Sequence, residues 1–336
     1  MRVLPWKEVW QPMSDNRSPL PRWVLLALLV TGIIAISFSS IFIRWSHAPS
    51  SVMAMYRLFF TAVLMGPFVW KSKPDLKALS SSDWGLMAVS GLFLALHFLF
   101  WMESLAFTSV ASSTIILALE PILILAGAYW LFKERTTRKA VLGLAVAILG
   151  AALIGWGDIG ISGRALTGDL LSLAGTAAVA LHLLVGQRLA SRVPSLFYSF
   201  FIFLVAGTAF LIYNLARGTA LSGYPAREWG IFLLLAVVPT VFGHVLFNWL
   251  LQYVNAVTVS MSVLGEPVGA TILAYLLLDE KLTLTQGSAG LVIIWGVWYF
   301  MRHNQVRYAV GEADKPDKPG KRGARKKTAA GPSITG

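Results

Sequence analysis

The sequence predicts an all-α polytopic membrane protein of ten transmembrane helices, arranged as two inverted five-helix repeats. Three observations predict it. Of 336 residues, 56% are hydrophobic and only 13% are charged, against about 45–50% apolar and about 25% charged in globular chains. Apolar runs recur near the length of about 20 residues that a helix needs to cross a hydrocarbon core of about 30 Å. A Glu-Pro pair buried in one such run, "LALEPILILAGAYWLFKERTT", returns 146 residues later in another.

Residues 1–22 mix charges, prolines and two tryptophans, with no apolar core of signal-peptide length, and are expected to form a cytoplasmic N-terminal arm. Ten apolar segments follow at 23–43, 52–70, 85–106, 111–132, 140–156, 168–187, 196–215, 229–250, 258–278 and 286–301. Trp23, Trp45, Trp70, Trp84, Trp130, Trp156 and Trp229 fall near their ends, where interfacial aromatic belts sit. Residues 303–336 are rich in Lys, Gly, Pro and Ala. They lack the apolar surface to order themselves and are expected as a basic, disordered cytoplasmic tail, with contact to anionic lipid headgroups as the alternative.

Charge sets the orientation. With the N-terminus inside, 22 Lys and Arg fall on the inner side and 5 on the outer, and 13 still face inward when the tail is set aside. The positive-inside rule therefore favours cytoplasmic termini, which an even number of spans permits. The net charge of +12 belongs to these basic loops and calls for no nucleic-acid partner. The absence of cysteine excludes a disulfide framework, a thiolate metal site and a cysteine nucleophile.

The internal match needs no gap. Glu120-Pro121 meets Glu266-Pro267, Ala128-Tyr129 meets Ala274-Tyr275, Glu134 meets Glu280, Thr137 meets Thr283, and Gly150 meets Gly296. The units are 23–156 and 167–302. Five helices per unit is an odd number, so the second unit enters the membrane in the opposite sense. The loop charges agree: Lys133, Glu134, Arg135, Arg138 and Lys139 carry net +3 on the inner side, and Asp279, Glu280 and Lys281 carry net −1 on the outer. Inverted repeats of this kind place a substrate site near the midplane between the halves.

The two "EP" helices, the "FKERTT" and "LDEKLT" ends that follow them, and the arginine of "MAMYRLFF" together resemble the drug/metabolite transporter superfamily, in the form with two EamA-type domains. The resemblance covers roughly 24–302. It implies ten helices, a bacterial inner-membrane location and transport of small metabolites such as amino acids, without naming one substrate. The second unit has no clear counterpart of Arg57, so the symmetry is incomplete in its first two helices.

Charges at the midplane cost about 2.5–3.5 kcal/mol on insertion scales, so each needs a reason. Pro121 and Pro267 lack an amide hydrogen and are expected to kink their helices, with Glu120 and Glu266 at the opening. Those acids either tie helices together or bind protons or a cationic substrate group. Arg57 either snorkels to the outer surface, pairs with an acid such as Glu103, or meets an anionic substrate group. His244, Asn248 and Gln252 fall four apart on one helical face, and His97 and Trp101 share another with Ser104 and Thr108. With His182 in the sixth span, these are the candidate substrate-binding residues; each also has a plain reading as a packed side chain.

Secondary transport of a small metabolite, exported and proton-coupled, is the function expected. An intramembrane His/Glu enzyme and a passive channel are the alternatives. No H-E-x-x-H spacing and no Walker-type loop is present, so no metal, cofactor or ATP drive is expected within the chain, and the partners expected are the lipid bilayer and a small molecule. In this cysteine-free chain, Arg135→Cys and Lys281→Cys are expected to react with a membrane-impermeant thiol reagent from opposite sides of sealed vesicles; labelling from a common side would refute the inversion.

Overall fold

The computed structural model describes residues 20–104, 107, 113, 116–155, 163–278 and 284–304. Most of the expected N-terminal arm, nearly all of the tail, Thr108 and the loop with Asp279, Glu280 and Lys281 lie outside the described residues. In chain order the helices are α1 (Arg22–Trp45), α2 (Ser50–Ser72), α3 (Ser81–Ser104), α4 (Glu120–Phe132), α5 (Arg138–Gly155), α6 (Gly163–Leu189), α7 (Ser195–Ala216), α8, α9 and α10 (Leu284–His303). Helix α8 runs through Ala226–Leu235, a π-helical part Ala236–Val245, and Leu246–Leu250, while α9 is split into α9a (Ala256–Val263) and α9b (Glu266–Leu277). Prolines 21, 49, 194 and 225 stand just before α1, α2, α7 and α8, where the fixed φ suits a helix start and the missing amide costs nothing.

Among the described residues, eight helices are long and apolar enough to cross a membrane. The surface reverses the water-soluble pattern. Trp70 is 84% exposed, Phe68 65% and Leu291 71%, whereas Arg57, Asp83, His97, Glu120, His182 and Asn248 are buried. A bilayer covers such an apolar exterior; water does not. The protein is a multi-pass membrane protein.

The repeats pack through an internal two-fold relation. Helix α5 packs on its counterpart α10 and α2 on its counterpart α7, α4 packs on α9a, and the α3–α6 pair is matched by α8–α1. The contacts run antiparallel. On α5 and α10, a Cβ at Gly143 would meet Gly296 and Phe300, and one at Gly150 would meet Ala289 and Ile293. Shifting by 146 residues turns the Gly143–Gly296 approach into that of Ala289 and Gly150, so the contact maps onto itself. Two equivalent helices lying antiparallel is what inverted repeats require. The glycines matter because apolar side chains gain nothing by leaving lipid, so association in a membrane rests on close backbone approach. A Cβ at Gly296 would stand 2.6 Å from the Ala147 amide nitrogen.

Polar contacts at the two ends follow the same relation. Asp83, third residue of α3, accepts from the Ser80 amide at 2.9 Å and lies 3.5 Å from Arg192 on the α6–α7 turn. Glu228, third residue of α8, accepts from the Ser46 hydroxyl and from the His47 amide at 3.1 Å on the α1–α2 turn. The arginine of the first pair is 40% exposed, so that pair contributes about 0–1 kcal/mol. In the second, Glu228 is buried while Ser46 is half-buried and His47 exposed, and its charge-assisted bonds contribute at most about 1.5–3 kcal/mol each. On the Asp83 end, Glu134 accepts from Gln187 at 2.8 Å and from Asn255 at 2.9 Å. The acid that recurs in the "FKERTT" motif thus ties α4 to α6 and to the α8–α9 turn.

Gly296→Ala is expected to lower the thermal unfolding midpoint of purified protein, since overpacking costs about 1–3 kcal/mol. Gly287→Ala on the same helix, where a Cβ meets nothing within 4 Å, is expected to leave the midpoint unchanged or raised.

Candidate functional site

Both Glu-Pro pairs open a helix. The chain turns at 118–119 and at 264–265, and Glu120-Pro121 and Glu266-Pro267 are the first two residues of α4 and α9b. The expected kink takes the form of a short turn whose residues Leu119, Leu264 and Gly265 keep right-handed helical dihedrals. Its reason is local: a proline in the first turn has no amide to lose and an acid there meets the positive end of the helix dipole, so the pair favours starting a new helix over continuing the old one. Glu120 and Glu266, equivalent by the repeat, lie close enough to interact electrostatically, and Glu266 does so with Arg57. Ser37 of α1 braces the second break, donating to the Ile33 carbonyl at 2.8 Å and to that of Glu266 at 3.3 Å.

Arg57 does not reach the surface. It is 2% exposed. Its Nε donates to Thr240 Oγ1 at 2.6 Å, its Nη1 lies 3.4 Å from Ser39 Oγ, and its guanidinium carbon stands 4.9 Å from the Phe98 ring centroid. Neither outer-surface snorkelling nor pairing with Glu103 is found: Glu103 is exposed and accepts from the Tyr213 hydroxyl at 3.3 Å. Interior hydroxyl acceptors and a ring face replace the headgroups.

The histidines separate by their partners. Nδ1 of His97 lies 3.0 Å from the Gly175 carbonyl, and a carbonyl only accepts, so Nδ1 carries the proton. Its ring stacks on Trp101 at 6.4 Å and 11°. Nδ1 of His182 lies 3.2 Å from the Ser90 carbonyl and 2.9 Å from its hydroxyl, which in turn is 2.7 Å from Tyr198 Oη. Asn248 lies within interaction range of His182 and donates to Ser199 Oγ at 3.3 Å. His182 and Asn248 therefore belong to one buried network joining α3, α6, α7 and α8. His244 is half-buried, edge-on to Phe98 at 5.7 Å, and within electrostatic range of Arg57, His97 and His182. Gln252 departs from the predicted stripe: α8 ends at Leu250, and Gln252 sits in the following turn.

Three buried polar atoms among the described residues have no hydrogen-bond partner: Arg57 Nη2, Trp101 Nε1 and Glu120 Oε1. Unsatisfied buried groups are rare in native structures and each asks for an explanation. Two are donors and one is an acceptor, all on residues singled out by the sequence. Ser39, Phe98, Thr240, Ser90 and Tyr198 escaped sequence reading. Thr240 alone had a signal, following Pro239 inside a span. Among the described residues, no group of three or more His, Asp or Glu is placed to hold a metal ion.

The EamA-like transporter family model matches this chain twice, at residues 21–156 and 166–302. An uncharacterized transporter from Archaeoglobus fulgidus is 26% identical over 84% of this chain and 99% of its own length. The uncharacterized transporter YyaM of Bacillus subtilis is 25% identical over 75% of this chain and 81% of its own. A protein of known crystal structure shares the fold, with a TM-score of 0.71 at 17% identity, covering 83% of this chain and 96% of the other.

Ser90→Ala strips a hydrogen-bond partner from His182 and Tyr198 and is expected to destabilise by about 1–3 kcal/mol, read as a lower unfolding midpoint. Trp101→Phe removes a donor with nothing to lose and is expected to shift the midpoint by much less.

Proposed function

The chain belongs to the EamA-like transporter family, and from that premise we propose that it moves a small zwitterionic metabolite of the amino-acid class across the inner membrane by alternating access. The observation that carries this reading is the trio of unpartnered groups. A carboxylate accepts from Arg57 Nη2 and Trp101 Nε1, and an ammonium donates to Glu120 Oε1. Charge-assisted bonds of this kind are about twice as strong as neutral ones. A site built to bond a polar group rejects analogues that lack it by leaving its own buried groups unpaired. The stacked His97 and Trp101 rings and the Phe98 face offer planar surface to the substrate's side chain, and His244 lies beside them.

Glu120 and Glu266, held at equivalent helix starts, are the proposed proton-coupling pair. With cytoplasmic termini, the Glu134 network and the Asp83–Arg192 pair close the inner end, and Glu228 with Ser46 and His47 closes the outer. Export is the proposed direction. His182 and Asn248 are proposed to act through packing, and Gln252 at the inner mouth.

The test is a thermal-shift comparison of the twenty L-amino acids with their carboxamides and the corresponding amines. Stabilisation by one or a few amino acids, lost with the amide and the amine, is the expected result; equal stabilisation by the amine defeats the carboxylate assignment. For the best binder, counterflow in proteoliposomes is expected to saturate and to be stimulated by a pH gradient. Glu266→Gln is expected to retain counterflow and lose that stimulation, Glu120→Gln to weaken binding as well, and a gradient response that survives both substitutions removes the pair from coupling.

A further inference from the structure

Arg57 is held by a helix distortion that the repeat does not need. A shift of 145, which pairs Pro49 with Pro194 and Asp83 with Glu228, puts the apolar Ile202 in its place in the second unit and Ala95 in that of Thr240 in the first; the 146-residue shift puts Phe203 and Leu94 there. All four are buried and belong to one apolar cluster. Where one side of the internal two-fold is filled by apolar side chains, the other carries an arginine bonded to a threonine. The architecture is satisfied by apolar packing at that place, so the polar pair answers to something other than folding.

The threonine is set by its predecessor. Pro239 has no amide hydrogen, and its ring crowds the carbonyl of Leu235 four residues back. The helix responds with the π register of Ala236–Val245, in which each amide faces the carbonyl five residues back. That brings Thr240 to Leu235. Its hydroxyl donates to the Leu235 carbonyl at 2.7 Å, so its hydrogen is committed and its lone pairs are left for Arg57 Nε at 2.6 Å. Thr61 closes the corner, donating to the Arg57 carbonyl at 2.7 Å and lying 3.3 Å from that of Ala236. A guanidinium is planar, so fixing Nε on Thr240 and Nη1 on Ser39 fixes the direction of Nη2. Nη2 is the atom left without a partner. A long side chain ordered before binding loses less freedom when it binds.

We propose that Thr240 is a positioning residue: its hydroxyl, brought there by the proline-shifted register of α8, orients the Arg57 guanidinium so that Nη2 faces the substrate's carboxylate. The assignment of the carboxylate rests on the function proposed above; the orientation of Arg57 by Thr240 is tested apart from it.

Protein labelled with [15N]arginine and held in lipid nanodiscs gives side-chain Nε–H resonances, that of Arg57 being the one lost in Arg57→Lys. In Thr240→Val and Thr240→Ala this resonance is expected to leave its wild-type position and lose its protection from solvent exchange, and in Thr240→Ser to keep both. Binding of the most stabilising L-amino acid is expected to weaken about tenfold or more in Thr240→Val, to stay within about twofold in Thr240→Ser, and to weaken no further when Thr240→Val is added to Arg57→Gln. An unmoved Arg57 resonance in both Thr240→Val and Thr240→Ala overturns the proposal, as does an added loss of binding in the Arg57→Gln background. If no L-amino acid binds the wild type while the resonance behaves as expected, the carboxylate reading fails and the positioning of Arg57 stands.

Discussion

A bilayer core offers no water to a stranded hydrogen-bonding group, and the rest of this structure depends on that constraint. Polar atoms inside must find partners in the protein or serve a ligand. Most do find them. His97 is bonded to a backbone carbonyl, His182 to Ser90, Asn248 to Ser199, and Ser37 reaches the start of α9b. Against that background the three atoms left over on Arg57, Trp101 and Glu120 are informative. In a soluble protein an unpartnered donor near the surface means little. Here it is the observation on which the proposed substrate site rests.

The same constraint explains how the helices hold together. Lipid tails are as apolar as leucine, so burying leucine between helices gains little. Close approach of small residues gains more, and the crossings of α5 with α10 are built on Gly143, Ala147, Gly150 and Gly296. Because equivalent helices cross antiparallel, each close contact appears twice. The polar ends follow suit, with Asp83 and Arg192 at one mouth and Glu228, Ser46 and His47 at the other. Matched contacts of unequal strength at opposite ends are compatible with a bundle that opens one way at a time.

Function enters where this two-fold relation fails. The Glu-Pro pairs obey it, and supply two equivalent helix starts. Arg57 and Thr240 break it, since the matching places in the other unit hold apolar residues. A transporter of repeated units needs symmetry for its motion and asymmetry for its substrate, and this chain keeps the two in different residues.

The membrane class, the ten apolar segments and the repeat were legible in the sequence because each depends on a pattern local to a helix or on a shift of the chain against itself. Arg57, Trp101, Glu120 and Glu266 stood out too, as charge or polarity where lipid should be. What each does was not. Periodicity placed Gln252 on a helical face that ends two residues before it, and could not show that His182 would bond Ser90 and Asn248 would reach Ser199. The proline rule located the interruptions at Glu120 and Glu266. Partners decide such roles, and the partners lie far apart along the chain: Arg57 meets Thr240 from 183 residues away, and Ser37 meets Glu266 from 229. The amino-acid order determined which groups must be buried, since that follows from hydrophobicity and helix length; which of them would be left without a bond was decided only when helices from both repeats closed around them.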